Sequence, residues 1–175
     1  MAHAQQAWSQ ASVRALVMAC AIASVCVAGS PVQAVQAAKG RVALIVNKAN
    51  TISEFSSADL RRILVGEITR WPGSSKITLL LLPPGSEERR AIVRTITGMS
   101  DDDFTRHWIS LVFQGETTTG PKAASSPSSM MKLVAGIPSA LGIVFLDDLP
   151  AGADGVKILR IDGKAPTDEG YPIVR

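Results

Sequence analysis

Ile77-Thr78-Leu79-Leu80-Leu81-Leu82-Pro83-Pro84-Gly85-Ser86-Glu87-Glu88-Arg89-Arg90 runs from an unbroken apolar segment, through two prolines and a glycine, into a charged one. An apolar run of this length without alternation predicts a strand buried on both faces of a sheet. The prolines end it, Gly85 permits a tight turn, and Ser86 has the side chain of a helix N-cap. Ile92, Val93 and Ile96 then recur at helical spacing until Gly98. A strand passing directly into a helix is the repeating unit of α/β architecture. It also aims the first backbone N–H groups and the positive end of the helix dipole at whatever sits above the turn, which suits an anion. The same residues suffice to cap a helix and do nothing more, so the junction has two readings at this point.

Working outward, Arg41-Val42-Ala43-Leu44-Ile45-Val46-Asn47 is a second continuous apolar run and a second doubly buried strand. Ser56 with Asp59 resembles a capping box, and Leu60, Ile63 and Leu64 carry a helix over about 57–65 that Gly66 ends. Ser100 with Asp103 repeats that spacing, and Phe104, Trp108, Leu111 and Val112 make the clearest amphipathic helix of the chain. The Thr-, Gly- and Ser-rich stretch 115–125 reads as a surface loop. Ser126-Pro127 then opens a helix containing Met130, Leu133, Val134 and Ile137. Further strands are expected at Ala140–Phe145, Val156–Ile161 and Tyr171–Val174. Alternating strands and helices predict an α/β domain in layers, a mixed sheet flanked by helices.

The first residues belong to another class. Arg14 precedes the uncharged run Ala15–Ala28, and Gly29-Ser30-Pro31-Val32-Gln33-Ala34 supplies helix breakers and small residues, the layout of a secretory signal peptide over 1–34. A short linker, 35–40, leads to one domain, 41–175. The rival reading is an uncleaved membrane helix, the run being slightly short of the ~20 residues a span needs. The residues before Cys20 and Cys26 do not follow the pattern of a lipidation site, and with both cysteines inside the leader the mature chain has no thiol for a disulfide or a metal. The expected location is periplasmic or secreted, with membrane contact only through an uncleaved N-terminal segment.

Eighteen basic residues against fifteen acidic ones leave a formal charge of +3, and the basic residues are scattered, which does not suit a nucleic-acid binder. Arg61-Arg62 and Arg89-Arg90 read as solvated helix faces. His107 is the only histidine after the leader, and on an amphipathic helix beside Trp108 it reads as a boundary residue rather than a catalytic base. Asp101-Asp102-Asp103 reads as acid favouring a helix N-terminus, not a cation site. Asp147-Asp148 ends a strand, and Trp71 and Trp108 fall where core residues are expected. No enzyme, cofactor or metal is expected. What remains is anion capture at two serine-led helix starts, Gly85-Ser86 and Ser125-Ser126, with Arg89 or Arg90 adding charge-assisted contacts. Glu87 and Glu88 in the first turn already complement the dipole and repel an anion placed there.

Five segments in order resemble the substrate-binding proteins of phosphate ABC transporters and their short relatives. They are Ile45–Asn50, Leu60–Glu67 leading to Arg70-Trp71-Pro72-Gly73, then Gly85-Ser86, Ala140–Val144 and Gly170–Ile173. The resemblance implies a single lobe of a periplasmic-binding-protein-like fold of type II, outside the cytoplasm, where full-length members close two lobes on phosphate. It implies phosphate or another small anion as ligand, through Gly85, Ser86, Arg89 and Ser126, and an envelope or transporter protein as partner. It also marks departures. Where the family's turn has Arg, three residues, then Ser-Gly-Thr, this chain has Leu82, Ser86, Glu87 and Glu88. Two functions therefore stand as expectations: a non-enzymatic solute-binding-type domain holding an oxyanion weakly, or a protein-interaction module that kept the fold and lost the ligand.

Overall fold

The computed structural model describes residues 40–73, 75–118, 120–150 and 152–174. The leader and linker expectations fall on residues 1–39, outside the described residues, save for Gly40.

The sheet is built around β1 (Val42–Asn47), buried along its whole length. It lies between β5 (Ala140–Phe145) and β6 (Val156–Ile158) and is antiparallel to both, with Leu44 opposite Ile143 and Val46 opposite Lys157. On the far side of β5, β3 (Thr78–Leu81) pairs in parallel, and the two-residue β4 (Lys122–Ala123) pairs in parallel with β3. The order is β4-β3-β5-β1-β6, a mixed sheet, with a small parallel pair of β2 (Glu54–Phe55) and β7 (Arg160–Ile161) beside it.

Because successive side chains of a strand point to opposite faces, one apolar run serves two cores. Val42, Leu44 and Val46 pack with Leu60 and Leu64 of α1 (Ser57–Leu64), Ile92 of α2 (Glu87–Ile92), and Phe104 and Trp108 of α3 (Asp101–Phe113). Ala43 and Ile45 pack on the other face with Met130 and Val134 of α4 (Pro127–Gly136). The two-sided burial expected of 41–47 and 77–82 is what makes this a layered α/β domain.

The helix starts follow the capping boxes. Ser56 accepts from the Asp59 N–H at 3.0 Å, and Ser100 from the Asp103 N–H at 3.1 Å. The segment after Ser86 is α-helical only as far as Ile92 and continues as a π-helical turn, Val93–Thr97, that Gly98 ends with φ 74°. Helix C-termini are closed by other elements. Asn47, at the end of β1, donates from Nδ2 to the carbonyls of Val134 (3.0 Å) and Ala135 (2.7 Å) on α4. His107 and Trp108 of α3 bring ring nitrogens to the Val65 and Leu64 carbonyls at the end of α1, at 2.9 and 3.0 Å.

Two expected strands differ. The run 156–161 is not one strand: the chain leaves the main sheet at the buried Leu159, whose N–H bonds Leu44 O at 2.9 Å, and Arg160 and Ile161 pair with β2. Tyr171–Val174 forms only an isolated bridge, Arg41 to Val174, and one bond from the Val42 N–H to Ile173 O, because Pro172 has no N–H to extend a ladder. The segment is pinned instead by side chains, with the Tyr171 hydroxyl donating to Val42 O at 2.8 Å and the Arg41 guanidinium donating to Pro166 O at 2.7 Å.

At Gly142 of β5 an added Cβ would lie 2.7 Å from Val134 Cγ2 and 3.0 Å from Met130 Sδ, so α4 seats on a bare backbone. Gly142→Ala is expected to cost about 1–3 kcal/mol by overpacking, read from the urea midpoint. Burial pushes the Tyr171 phenol well above its ordinary range, against a smaller opposing pull from Arg41. A group whose value is raised by folding contributes stability that is complete below its unfolded value, about 10, and is lost as pH rises through the folded one. Wild type should therefore lose stability above about pH 10, and Tyr171→Phe, although it lacks the hydrogen bond to Val42, should show a flatter alkaline profile in denaturation midpoints.

Candidate functional site

β3 and β4 run parallel, so both deliver their helices at the same end of the sheet: β3 leads to Ser86 and α2, β4 to Ser126 and α4. The carboxyl ends of strands in open α/β sheets are where such folds place ligands. The sequence-expected residues divide between these two starts. Gly85, Ser86 and Arg89 meet at one junction. Ser126 belongs to the other, where its hydroxyl accepts from the Ser129 N–H at 3.2 Å and lies 3.1 Å from Ser128 Oγ.

At the first junction Gly85 has φ 87°, a left-handed backbone that favours glycine, and this orients its N–H away from the strand. That N–H does not face empty space. It donates to Asp101 Oδ2 at 2.7 Å. The other carboxylate oxygen, Oδ1, accepts from Arg89 Nε at 2.5 Å. Arg89 is only 8% exposed, and its remaining faces are also met by α3: Nη2 donates to Thr105 Oγ1 at 2.7 Å, and the guanidinium carbon stands 5.5 Å from the centre of the Phe104 ring. Thr105 Oγ1 in turn donates to Asp101 O at 2.9 Å. The first turn of α3 thus supplies a carboxylate, a hydroxyl and an aromatic face to one buried cation.

Ser86 occupies the N-cap position of α2, with an extended backbone and its carbonyl accepting the first helical bond from Arg90, but its hydroxyl makes no cap bond. Ser86 Oγ is shielded from solvent without a hydrogen-bond partner among the described residues, one of two such side-chain atoms there. The junction therefore combines a donor pair filled by a carboxylate with a hydroxyl left over. Carboxylates are planar oxyanions, so the way Asp101 sits on Gly85 and Arg89 is the way an external oxyanion would be held.

Asp101 and Thr105 are the members of this cluster that sequence reasoning missed. Asp101 was read with Asp102 and Asp103 as generic first-turn acid, and Asp103 does behave so, bonded to Ser100 and to Arg106, which together hold its carboxyl below the ordinary value. The available signal was the spacing of Asp101, Phe104 and Thr105 at i, i+3 and i+4, which places an acid, a ring and a hydroxyl on one face of a helix. His107 is placed against Val65 O, and Trp71 stacks on Phe55 at 5.7 Å while donating to Ser139 O at 3.0 Å, both packing roles. Among the described residues no group of acidic, histidine or cysteine side chains has the clustering of a metal site, and no helix is long and apolar enough to cross a membrane.

The mixed sheet flanked by helices is a fold shared with solved substrate-binding proteins. Solved structures that share it include phosphate ABC transporter substrate-binding proteins. One from Clostridium perfringens, solved with bound phosphate, matches with a TM-score of 0.61 at 20% identity over 77% of this chain and 52% of its own. PstS from Borrelia burgdorferi matches with a TM-score of 0.58 at 17% identity over 77% and 54%. A phosphate transport receptor from Vibrio cholerae matches with 0.56 at 20% identity over 72% and 48%. The chain spans about half the length of the structures it matches. No protein-family model matches it, and no curated protein matches it in sequence.

Removing one member of a shielded ion pair leaves an uncompensated charge, at about 3–5 kcal/mol. Asp101→Ala is expected to lose that much in urea denaturation, whereas Asp102→Ala, on the exposed side of the same turn, should change stability by no more than about 0.5 kcal/mol.

Proposed function

We propose that this chain is a non-enzymatic solute-binding-type domain, acting in the periplasm or outside the cell, that holds phosphate or a related oxyanion weakly at Gly85, Ser86 and Arg89 because its own Asp101 competes for the same donors. The observation that carries this is the Asp101 carboxylate itself, seated on the Gly85 N–H and Arg89 Nε. It supports anion-accepting geometry and supplies the reason for weak binding. A group tethered twelve residues from Arg89 and sixteen from Gly85 acts at an effective concentration on the order of millimolar or higher. Glu87 and Glu88 in the first turn of α2 add repulsion. Leu82, standing where the resemblance places an arginine, removes a second cation, so Arg89 carries the attraction alone. The leader over 1–34 supports export. His107 engaged with Val65 O supports a non-enzymatic role for the one histidine after that leader.

The interaction-module reading draws on a different observation. Ile109, Val112 and Phe113 on α3 are exposed, Phe113 at 86%, and with Pro84 and Arg89 they line one apolar hollow beside the junction. Titration of inorganic phosphate into wild type and Asp101→Ala, by calorimetry and by thermal midpoint, separates the two. The competition reading expects wild-type binding no tighter than millimolar, binding at least tenfold tighter in Asp101→Ala, and a phosphate-dependent rise in the midpoint that is larger for the variant. If folded Asp101→Ala binds phosphate no better than wild type, competition by Asp101 is wrong. If neither binds, the interaction module is the better account.

A further inference from the structure

The start of the parallel strands, away from the Gly85 junction, carries a second cavity of about 240 Å³. Its floor is apolar and buried, made by Ile77, Leu79 and Trp108. Its rim is of another kind. Lys76, from the turn before β3, and Lys122, from β4, both line it, together with the hydroxyl-bearing Thr69, Thr78 and Thr117. No acidic side chain is among the residues that line it. Lys76 Nζ donates to Thr118 Oγ1 at 3.1 Å, a neutral partner, and no carboxylate among the described residues pairs with it. The indole N–H of Trp108 is already committed to Leu64 O, so the ring offers the cavity a face and not a donor.

Two ammonium groups on the rim of one concavity repel each other, and an anion between them relieves that repulsion. Pockets that fix small molecules pair an apolar wall with a few convergent polar groups, and those taking drug-sized ligands have volumes of about 300–1,000 Å³. This one is smaller, which favours a compact acid. We propose that this cavity is a binding site for a small amphipathic carboxylate, its acid head between Lys76 and Lys122 and its short alkyl or aryl body on Ile77, Leu79 and Trp108. The Thr69 hydroxyl serves the head as a donor, while Thr78 Oγ1 lies 3.2 Å from Ser139 Oγ. The site is separate from the oxyanion junction: it uses no residue of the Gly85–Arg89–Asp101 cluster, and its selectivity comes from an apolar floor that the junction lacks.

The probe is hexanoate, with hexanol as its uncharged counterpart, titrated into the protein while amide and indole resonances are followed by NMR. Saturable shifts are expected at Ile77, Thr78 and Leu79, which do not line the hollow beside the junction, with hexanol binding at least fivefold more weakly. The double variant Lys76→Gln, Lys122→Gln, at two exposed positions, should weaken hexanoate at least fivefold while leaving the spectrum otherwise unchanged. Equal binding of hexanol and hexanoate would overturn the role of the lysines. So would an unaffected double variant, or shifts that map to Gly85 and Arg89. Absence of any saturable hexanoate shift would overturn the site itself, and none of these outcomes bears on the phosphate titration of Asp101→Ala.

Discussion

An arginine side chain shielded from water needs acceptors for its donors, and at Arg89 one of them is the Asp101 carboxylate, a pairing that organises the end of the sheet where ligands are expected. Arg89 points from α2 under α3, where Asp101, Thr105 and Phe104 between them engage the guanidinium. The demand fixes how α3 must start. Its first residue has to reach back across the π-helical turn and Gly98 to the strand-turn-helix junction, and in doing so it closes the backbone donor of Gly85 as well. A single carboxylate thus compensates a buried cation and closes a backbone donor together. Under the proposed function Gly85 and Arg89 serve as structure or as receptor, and the local concentration of Asp101 decides between the two.

The fold was legible where burial writes a pattern into the chain. Val42–Val46 and Leu79–Leu82 are apolar without alternation because helices cover both faces, and the capping serines at 56, 100 and 126 each accept the backbone bond their spacing announced. What could not be read are the two-residue strands β2, β4 and β7, too short to carry any period, and the break at Leu159, where the chain changes sheets without a glycine or proline to mark it. Tyr171–Val174 has the composition of a strand, yet its place is held by the Tyr171 hydroxyl and the Arg41 guanidinium, bonds that span the whole domain and leave no local trace.

The site was legible in half. Gly85, Ser86 and Arg89 could be found because turn chemistry and helix starts have local rules. Their occupant could not, since the approach of Asp101 depends on the angle at which α3 returns after Gly98. The same limit applies to Lys76 and Lys122. They lie far apart in sequence and share a cavity only because Lys122, the first residue of β4, pairs with Leu80 within β3. Ser86 shows the converse: its residue type is right for a cap, and the hydroxyl makes no cap bond.

The position of β1 also governs the order in which the molecule can be assembled. The earliest strand in the described chain is the one with most of its partners at the other end: β5 and β6 on its flanks, and the Tyr171 hydroxyl on Val42 O. Contacts of such long sequence separation require the largest loops to close before they return any stabilisation, which places folding toward the slow end for a domain of this size. During synthesis, Val42–Val46 stays an unpaired apolar segment until residues 140–158 have been made. The central strand is therefore without its neighbours for most of the chain's synthesis, and a truncation of the last strands would remove them.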